Sequence, residues 1–404
     1  MKARIRYTIV AIPLLLLSLC ALPAQAGFLV QCPGDTNGDG VSEDPYIDCL
    51  HIAAGDGMTI MPDGKDQYIF SFSKVVPGTP LNQVLPTHAL KANLPAPTIM
   101  VKQDQELYLS LSNVGMILRP DLFDPHSVHW HGFINAASVF DGVPEVSPAA
   151  AMQATQPYYY WARKEGTFFY HCHVEAAEHM QMGMIGNLYV TARQNDEPDG
   201  TSLNGFIHHT GYEYVYNDGD GSTYYDVSYP IQLTSFDSNF HDKHLAVQPL
   251  PFADMEDNYF FINGRGYPDT IKTDPNEMLN NAGNYGGEDY VAQNVDALVT
   301  ANAGDKISLR LSNASTTDLL TVATTLGVPM KVVAQGAELL RGPTGIDTSY
   351  MVNVLNIGGG QTFDVIIDTA GIPAGTYFLY TTNLQFLSNN EEERGGIMTE
   401  IVLN

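Results

Sequence analysis

The segment VKQDQELYLSLSN, Val101 to Asn113, returns later in the chain as ANAGDKISLRLSN, Ala301 to Asn313, and GTFFYHCH, Gly166 to His173, returns as GTYFLYTT, Gly375 to Thr382. Whatever the first copy folds into, the second must fold into as well, so the chain holds two units of one kind in tandem. The repeated runs and their neighbours YYYWA, GNLYVTA and FDVIID are short, β-branched or aromatic, and are punctuated by 36 Gly and 24 Pro. Turn signals at such intervals, with no long helical period, predict an all-β chain of two β-sandwiches. The polar, turn-rich NDEPDGTSLNG at 195–205 marks a boundary. The expected organisation is an amino-terminal loop segment over 27–66, a first sandwich over 67–195 and a second over 206–404. TDPNEMLNNAGNYGGEDY at 273–290 is expected as a surface loop of the second.

The copies differ where chemistry is at stake. Tyr380, Thr381 and Thr382 stand where the first copy has His171, Cys172 and His173, and Ile397 stands about where it has Met184. Framework and chemistry therefore separate, and function has to be argued from the first copy.

The chain opens on MKARIRYTIVAIPLLLLSLCALPAQA, with basic residues, a short apolar run and a small-residue ending at Ala26. That layout predicts a cleaved export signal over 1–26 and a periplasmic or secreted protein, with no membrane span after its removal. Outside the cytoplasm disulfides persist. Cys32 and Cys49 flank an acidic loop and are expected to pair, which leaves Cys172 odd and in need of an explanation such as a metal. The formal charge of −26, from 45 acidic against 19 basic residues, excludes nucleic acid as a partner. It suits metal cations, cationic substrates or a basic redox partner.

PHSVHWHG supplies His126, His129 and His131, and HCHVEAAEHMQMGM supplies His171, Cys172, His173, His179 and Met184. Two histidines, one cysteine and a weak axial methionine are the ligands of a blue (type 1) copper site, a recipe that His126, Cys172, His179 and Met184 meet. Side chains alternate along a strand, so Cys172 points away from its neighbours His171 and His173, while His129 and His131 share a face. A thiolate could then bind one copper while its flanking histidines bind others.

These motifs resemble those of the multicopper oxidase family, laccase-like proteins built of cupredoxin domains. LPAPTIMVKQDQELYLSLSN, FDGVPEVSP and FFINGRGYPDT extend the resemblance over most of the chain. It implies two tandem cupredoxin-like Greek-key β-sandwiches. It also implies copper as cofactor, a small-molecule or metal-ion electron donor, dioxygen as acceptor, and type 2/type 3 coppers on His129, His131, His171 and His173. Asp141 and Glu175 are implied as acids relaying protons to oxygen at that cluster. Two departures stand out: Ser127 replaces the usual proline of the first motif, and the VEAAE spacer before His179 is longer than usual.

The family's trinuclear cluster uses four His-x-His pairs, and this chain has two. His51, His88, His208, His209, His241 and His244 form none. A second copy could supply the missing half across a two-fold axis, which predicts a homo-oligomer. Alternatively, a neighbouring subunit's His241 or His244 could complete a single copper as in copper nitrite reductases, or the protein could be an electron-transfer cupredoxin. Met180 and Met182 are expected to pack around Met184.

GDTNGDGVSED places Asp35, Asn37 and Asp39 at alternating positions before Gly40, the opening of a calcium loop. Tyr46 occupies the twelfth position, so calcium here would use Asp35, Asn37, Asp39 and Glu43 in a degenerate loop.

Overall fold

The alternation in ELYLSLSN and KISLRLSN is realised as two equivalent strands. Leu107, Leu109 and Leu111 are buried in one hydrophobic core, and Ile307, Leu309 and Leu311 in another. The computed structural model describes residues 31–135, 137–278, 290–342 and 344–404. The export signal expected at 1–26, and residues 279–289 of the expected surface loop, lie outside these.

The first sandwich is built from β1 (Ile47–Ile60), β2 (Asp66–Lys74), β3 (Ala96–Lys102), β4 (Glu106–Gly115), β5 (His129–His131), β6 (Thr155–Trp161), β7 (Gly166–His171) and β8 (Ile185–Thr191). One sheet runs β2-β1-β4-β6, the other β3-β8-β7-β5. Helices α1 (Leu81–His88) and α2 (Ala176–Gln181) lie in its connections. Two small hairpins follow, β9 (Ser202–Leu203) with β10 (Phe206–Ile207) and β11 (Glu213–Tyr214) with β12 (Tyr224–Tyr225).

The second sandwich comprises β13 (Val227–Phe236), α3 (Ser238–Leu245), β14 (Tyr259–Ile262), β15 (Val299–Ala301), β16 (Lys306–Asn313), β17 (Leu320–Thr324), β18 (Met330–Gln335), β19 (Glu338–Leu339), β20 (Tyr350–Val352), β21 (Val354–Ile357), β22 (Thr362–Asp368), β23 (Gly375–Tyr380) and β24 (Met398–Leu403). Its sheets run β14-β13-β16-β22-β18-β19 and β15-β24-β23-β17-β21. The pairing repeats in kind: β1 is parallel to β4 as β13 is to β16, and β3 is parallel to β8 as β15 is to β24. The amide of Cys172 donates to the carbonyl of Met184 at 3.2 Å, and that of Thr381 to Ile397 at 3.0 Å, so the register read from the repeat is the register of the fold.

The segment expected as a loop over 27–66 enters the first sheet at Ile47, since β1 is hydrogen-bonded between β2 and β4. Its Cys32–Cys49 disulfide is formed. In the loop this closes, Asp35 accepts from the amides of Gly38 and Gly40, Asn37 from Asp39, Asp39 from Val41 and Glu43 from Thr36. The four side chains proposed for calcium thus cap the backbone of their own turn. Among the described residues they form no convergent metal-ligating group.

The halves pack on each other through polar as well as apolar contacts. Phe240 of α3 joins the first core, and Met61, Ile69 and Leu94 cluster with Phe236, Tyr259 and Phe261. Thr167 donates to the buried Asp364 carboxylate, which also accepts from Tyr216 at 2.8 Å.

Candidate metal centre

Strand β7 sorts its side chains as a period of two requires. Phe168, Tyr170 and, just past the end of the strand, Cys172 join the first core, whereas Thr167 and Phe169 face the second half, Phe169 clustering there with Ala314 and stacking on His171. Two different sites therefore form on opposite sides of one strand.

On the core side His126, Cys172 and His179 are all fully buried, and their ligand atoms lie within 4.8 Å of one another. Nδ1 of His179 is 3.1 Å from Cys172 Sγ, and Nδ1 of His126 is 3.9 Å from it. The Nε2 atoms of both rings have no hydrogen-bond partner. Met184 is fully buried in the same cluster, with Met182 beside it, while Met180 packs on the other face. The amide of Ser127 donates to Cys172 Sγ at 3.4 Å, and its hydroxyl accepts from the amide of His173 at 3.1 Å. Burial pushes the Cys172 thiol up to about 11 and holds His179 down at about 4. Burial also keeps His126 well below its ordinary value. The thiol proton thus stays until a cation takes its place, and the imidazoles are ready as neutral ligands. Two imidazole nitrogens turned on one sulfur, with a buried thioether alongside, are a donor set that fits copper.

On the other side His129 sits opposite His171 across the β5–β7 pair, and His129, His131 and His171 converge within 4.8 Å. His173 adjoins them, its ring 5.0 Å from His129 and 5.5 Å from His171. His129 Nδ1 is held by the Asp141 carbonyl at 2.6 Å and lies 3.4 Å from the Asp141 carboxylate. His171 Nδ1 is held by the Cys172 carbonyl at 2.8 Å. Each ring is oriented through Nδ1 with Nε2 left to ligate, the usual division of labour in metal-bound imidazole. Burial lowers His171 to about 3 and shifts His129 and His131 the same way.

Of the two expected relay acids, Asp141 therefore lies at the four-histidine face and Glu175 does not. Residue 175 has φ 47°, ψ 50°, a left-handed turn ahead of α2. Its carboxylate lies instead with Asp124, Glu178 and His179, at the core-side site. Sequence reasoning missed Asp124 and Glu178. The available signal was proximity, two residues before His126 and one before His179.

No other histidine reaches the face. His241 is buried with both nitrogens on backbone carbonyls, Tyr68 at 2.6 Å and Gln181 at 2.9 Å. His244 is held between Arg119 and Glu178. Neither is free for a neighbouring subunit's copper. His51 meets Ser112, His88 meets Ser73, His208 meets Tyr214 and His209 meets Asp199. What the second half brings to the face is Gly360, whose backbone lies so near that a Cβ there would be 3.2 Å from His131 Nε2.

Comparison with known proteins follows the same division. Two family models, both described as multicopper oxidase, match residues 76–195 and 251–403. A copper resistance protein A homologue of Pseudomonas syringae pv. tomato is 23% identical over 342 residues, covering 77% of this chain and 49% of its own, so the chain spans about half the length of that relative. Among solved structures, the blue copper oxidase of Nitrosomonas europaea superposes with TM-score 0.61 at 20% identity, covering 88% of this chain and 85% of its own. The multicopper oxidase mgLAC gives 0.61 at 18% identity, covering 88% and 86%. A laccase of Botrytis aclada gives 0.54 at 20% identity, covering 92% and 55%. These likenesses show a common cupredoxin fold.

Proposed function

The chain belongs to the multicopper oxidases, with copper as the cofactor this implies, and we propose that it is an exported oxidoreductase that takes single electrons from a donor and delivers them to dioxygen. The observation that carries the reading is the division of strand β7. Cys172 lies in the core between His126 and His179, and His171, one peptide away, lies in the face of His129 and His131. Copper supplies a one-electron acceptor at the first set and a centre for dioxygen reduction at the second. The protein's own part is to hold the two sets one residue apart. Cys172, Ser127 and the buried rings exclude water from the first, and Asp141 orients His129 in the second. Dioxygen reduction consumes protons, and the Asp141 carboxylate beside His129 is the group placed to pass them.

Four histidines are half of a trinuclear set. We assign the other half to the same face of a second copy across a two-fold axis, which makes the active form a homo-oligomer. The Cys32–Cys49 disulfide supports a periplasmic or secreted location.

The test uses copper-loaded protein. Its assembly state, copper per chain and dioxygen uptake with hydroquinone are measured together. A homo-oligomer with dioxygen uptake is expected, and His171→Ala should abolish uptake while keeping the blue absorption. A monomer with one copper per chain and no uptake refutes the oxidase reading. The convergence of three histidines from one chain favours one second reading, a mononuclear copper acting on nitrite. Nitrite consumption without dioxygen uptake would select it.

A further inference from the structure

The loop that carries His179 and Met184 is too short to hold its own shape. α2 has six residues, follows the left-handed Glu175 and receives no side-chain cap. A helix of that length is unstable without tertiary support. The first half supplies part of that support through β2, where the amide of Phe70 donates to the Met182 carbonyl at 2.9 Å and the Ser71 hydroxyl to the Gly183 carbonyl at 2.8 Å. Much of the remainder comes from the half that lacks copper ligands, and it converges on one residue.

Gln181 lies two residues after His179 and three before Met184, and its side chain is fully buried. Its side-chain nitrogen donates to the Asp257 carboxylate at 2.8 Å and to the Met255 sulfur at 3.1 Å. Its side-chain oxygen accepts from the amide of Asp237 at 3.3 Å, and its backbone carbonyl lies 2.9 Å from Nε2 of the buried His241. A primary amide has two N–H groups and one carbonyl, so both ends of this side chain are engaged, and every partner belongs to the second half. Asp257 is fixed in turn, since the hydroxyls of Ser235 and Thr317 donate to its other oxygen. A buried amide stripped of such partners carries its full desolvation penalty, so these contacts dictate where α2 can sit. Next to it Met180 packs with Phe169 and Ala314, a second point at which the loop leans on the second half.

We propose that Gln181 is a positioning residue through which the second half keeps α2 closed over Cys172, holding His179 and Met184 around the sulfur. The inference rests on the reading of His126, Cys172, His179 and Met184 as a copper set. One arm of its test uses copper-free protein, so the two can fail separately. The half without ligands thereby acts on the ligands of the other. With the clamp released, the loop opens locally while both sandwich cores stay folded.

The test reverses the polarity of the clamp. Gln181→Glu keeps the side chain's length and its oxygen for the Asp237 amide, but sets one carboxylate against another at Asp257. Asp257→Asn keeps an oxygen for Gln181 to donate to, and combined with Gln181→Glu it gives the new carboxylate a donor again. In copper-free protein, Ellman's reagent labels Cys172, the free cysteine among the described residues, only when the loop opens. The labelling rate should rise at least about tenfold in Gln181→Glu, the loss expected for one charge-assisted hydrogen bond. It should stay within about twofold of wild type in Asp257→Asn and return to that level in the double variant. Asp257→Leu against Asp257→Asn makes the same comparison from the second half, at a half-buried position away from copper. In copper-loaded protein, the copper hyperfine splitting of the blue site, read by electron paramagnetic resonance, should change in Gln181→Glu and recover in the double variant. Unchanged labelling and splitting in Gln181→Glu, or no recovery in the double variant, overturns the proposal. So does labelling that rises only as far as the urea midpoint of the whole chain falls, because the opening is then global. Absence of blue absorption in copper-loaded wild type instead overturns the copper reading, and the labelling arm still decides whether Gln181 holds the loop.

Discussion

Ser127 occupies the position that the resembling family motif fills with proline, and Ser127→Pro isolates what this difference does at the blue site. The serine amide donates to Cys172 Sγ at 3.4 Å, and a proline has no N–H to give. Reduction of the site adds electron density to the sulfur, so the lost hydrogen bond costs the reduced form more than the oxidised one. At this length the bond contributes about 1 kcal/mol, which for one electron is roughly 40 mV. The potential should therefore fall by about that amount in Ser127→Pro. The backbone can accept the exchange, because His126 is paired with Ala150 in extended conformation, as a residue preceding proline must be. Proline also removes the hydroxyl that accepts from His173. Ser127→Ala removes the hydroxyl but keeps the amide, and is the reference. The assay is a spectroelectrochemical titration of the blue band in both variants. A Ser127→Pro potential equal to or above that of Ser127→Ala, with the band intact, would refute the argument.

Two further outcomes follow from contacts elsewhere. Gly360 has φ +82° and abuts His131, so Gly360→Ala is strained in backbone and crowded against the ring; copper per chain should fall at the four-histidine face while the blue absorption stays. Burial depresses His51 from 6.5 to about 4. Because its folded value lies below its unfolded one, the stability it contributes is full above pH 6.5 and is lost as pH falls toward 4, roughly 3 kcal/mol in all. His51→Gln, which can still meet Ser112, should flatten the pH dependence of chemical denaturation across that window, and an unchanged slope would show that other groups carry it.

The repeat and the alternation made most of the framework legible, because both follow from strand geometry alone. Leu107, Leu109 and Leu111 alternate into a core, and Cys172 parts from His171 for the same reason. β1 was hidden because HIAAGDG lacks alternation and carries one β-branched residue, Ile52, among alanines and glycines. It is a central strand, paired on both edges and buried along most of its length. Its glycines answer to close neighbours, since a Cβ at Gly57 would stand 3.1 Å from Ala92 and from the carbonyl of Leu90. Glu175 was carried to the cluster by resemblance alone, and the left-handed turn ahead of α2 sets its carboxylate with Asp124, Glu178 and His179 instead. The contacts of His244 were not legible for a different reason: its partners Arg119 and Glu178 lie far away along the chain, and only tertiary packing brings them together.

The second half keeps the peptide frame of a copper loop with nothing to ligate. Thr381 and Ile397 exchange the same amide-to-carbonyl bond as Cys172 and Met184, and both side chains are fully buried. One sequence has in effect performed the metal-removal experiment on itself: the frame closes around a hydroxyl and an isoleucine as it does around a thiol and a thioether. In the first half, too, backbone pairing should assemble the pocket before any ion arrives. A copper ion would then gain affinity from the order the polypeptide has already imposed.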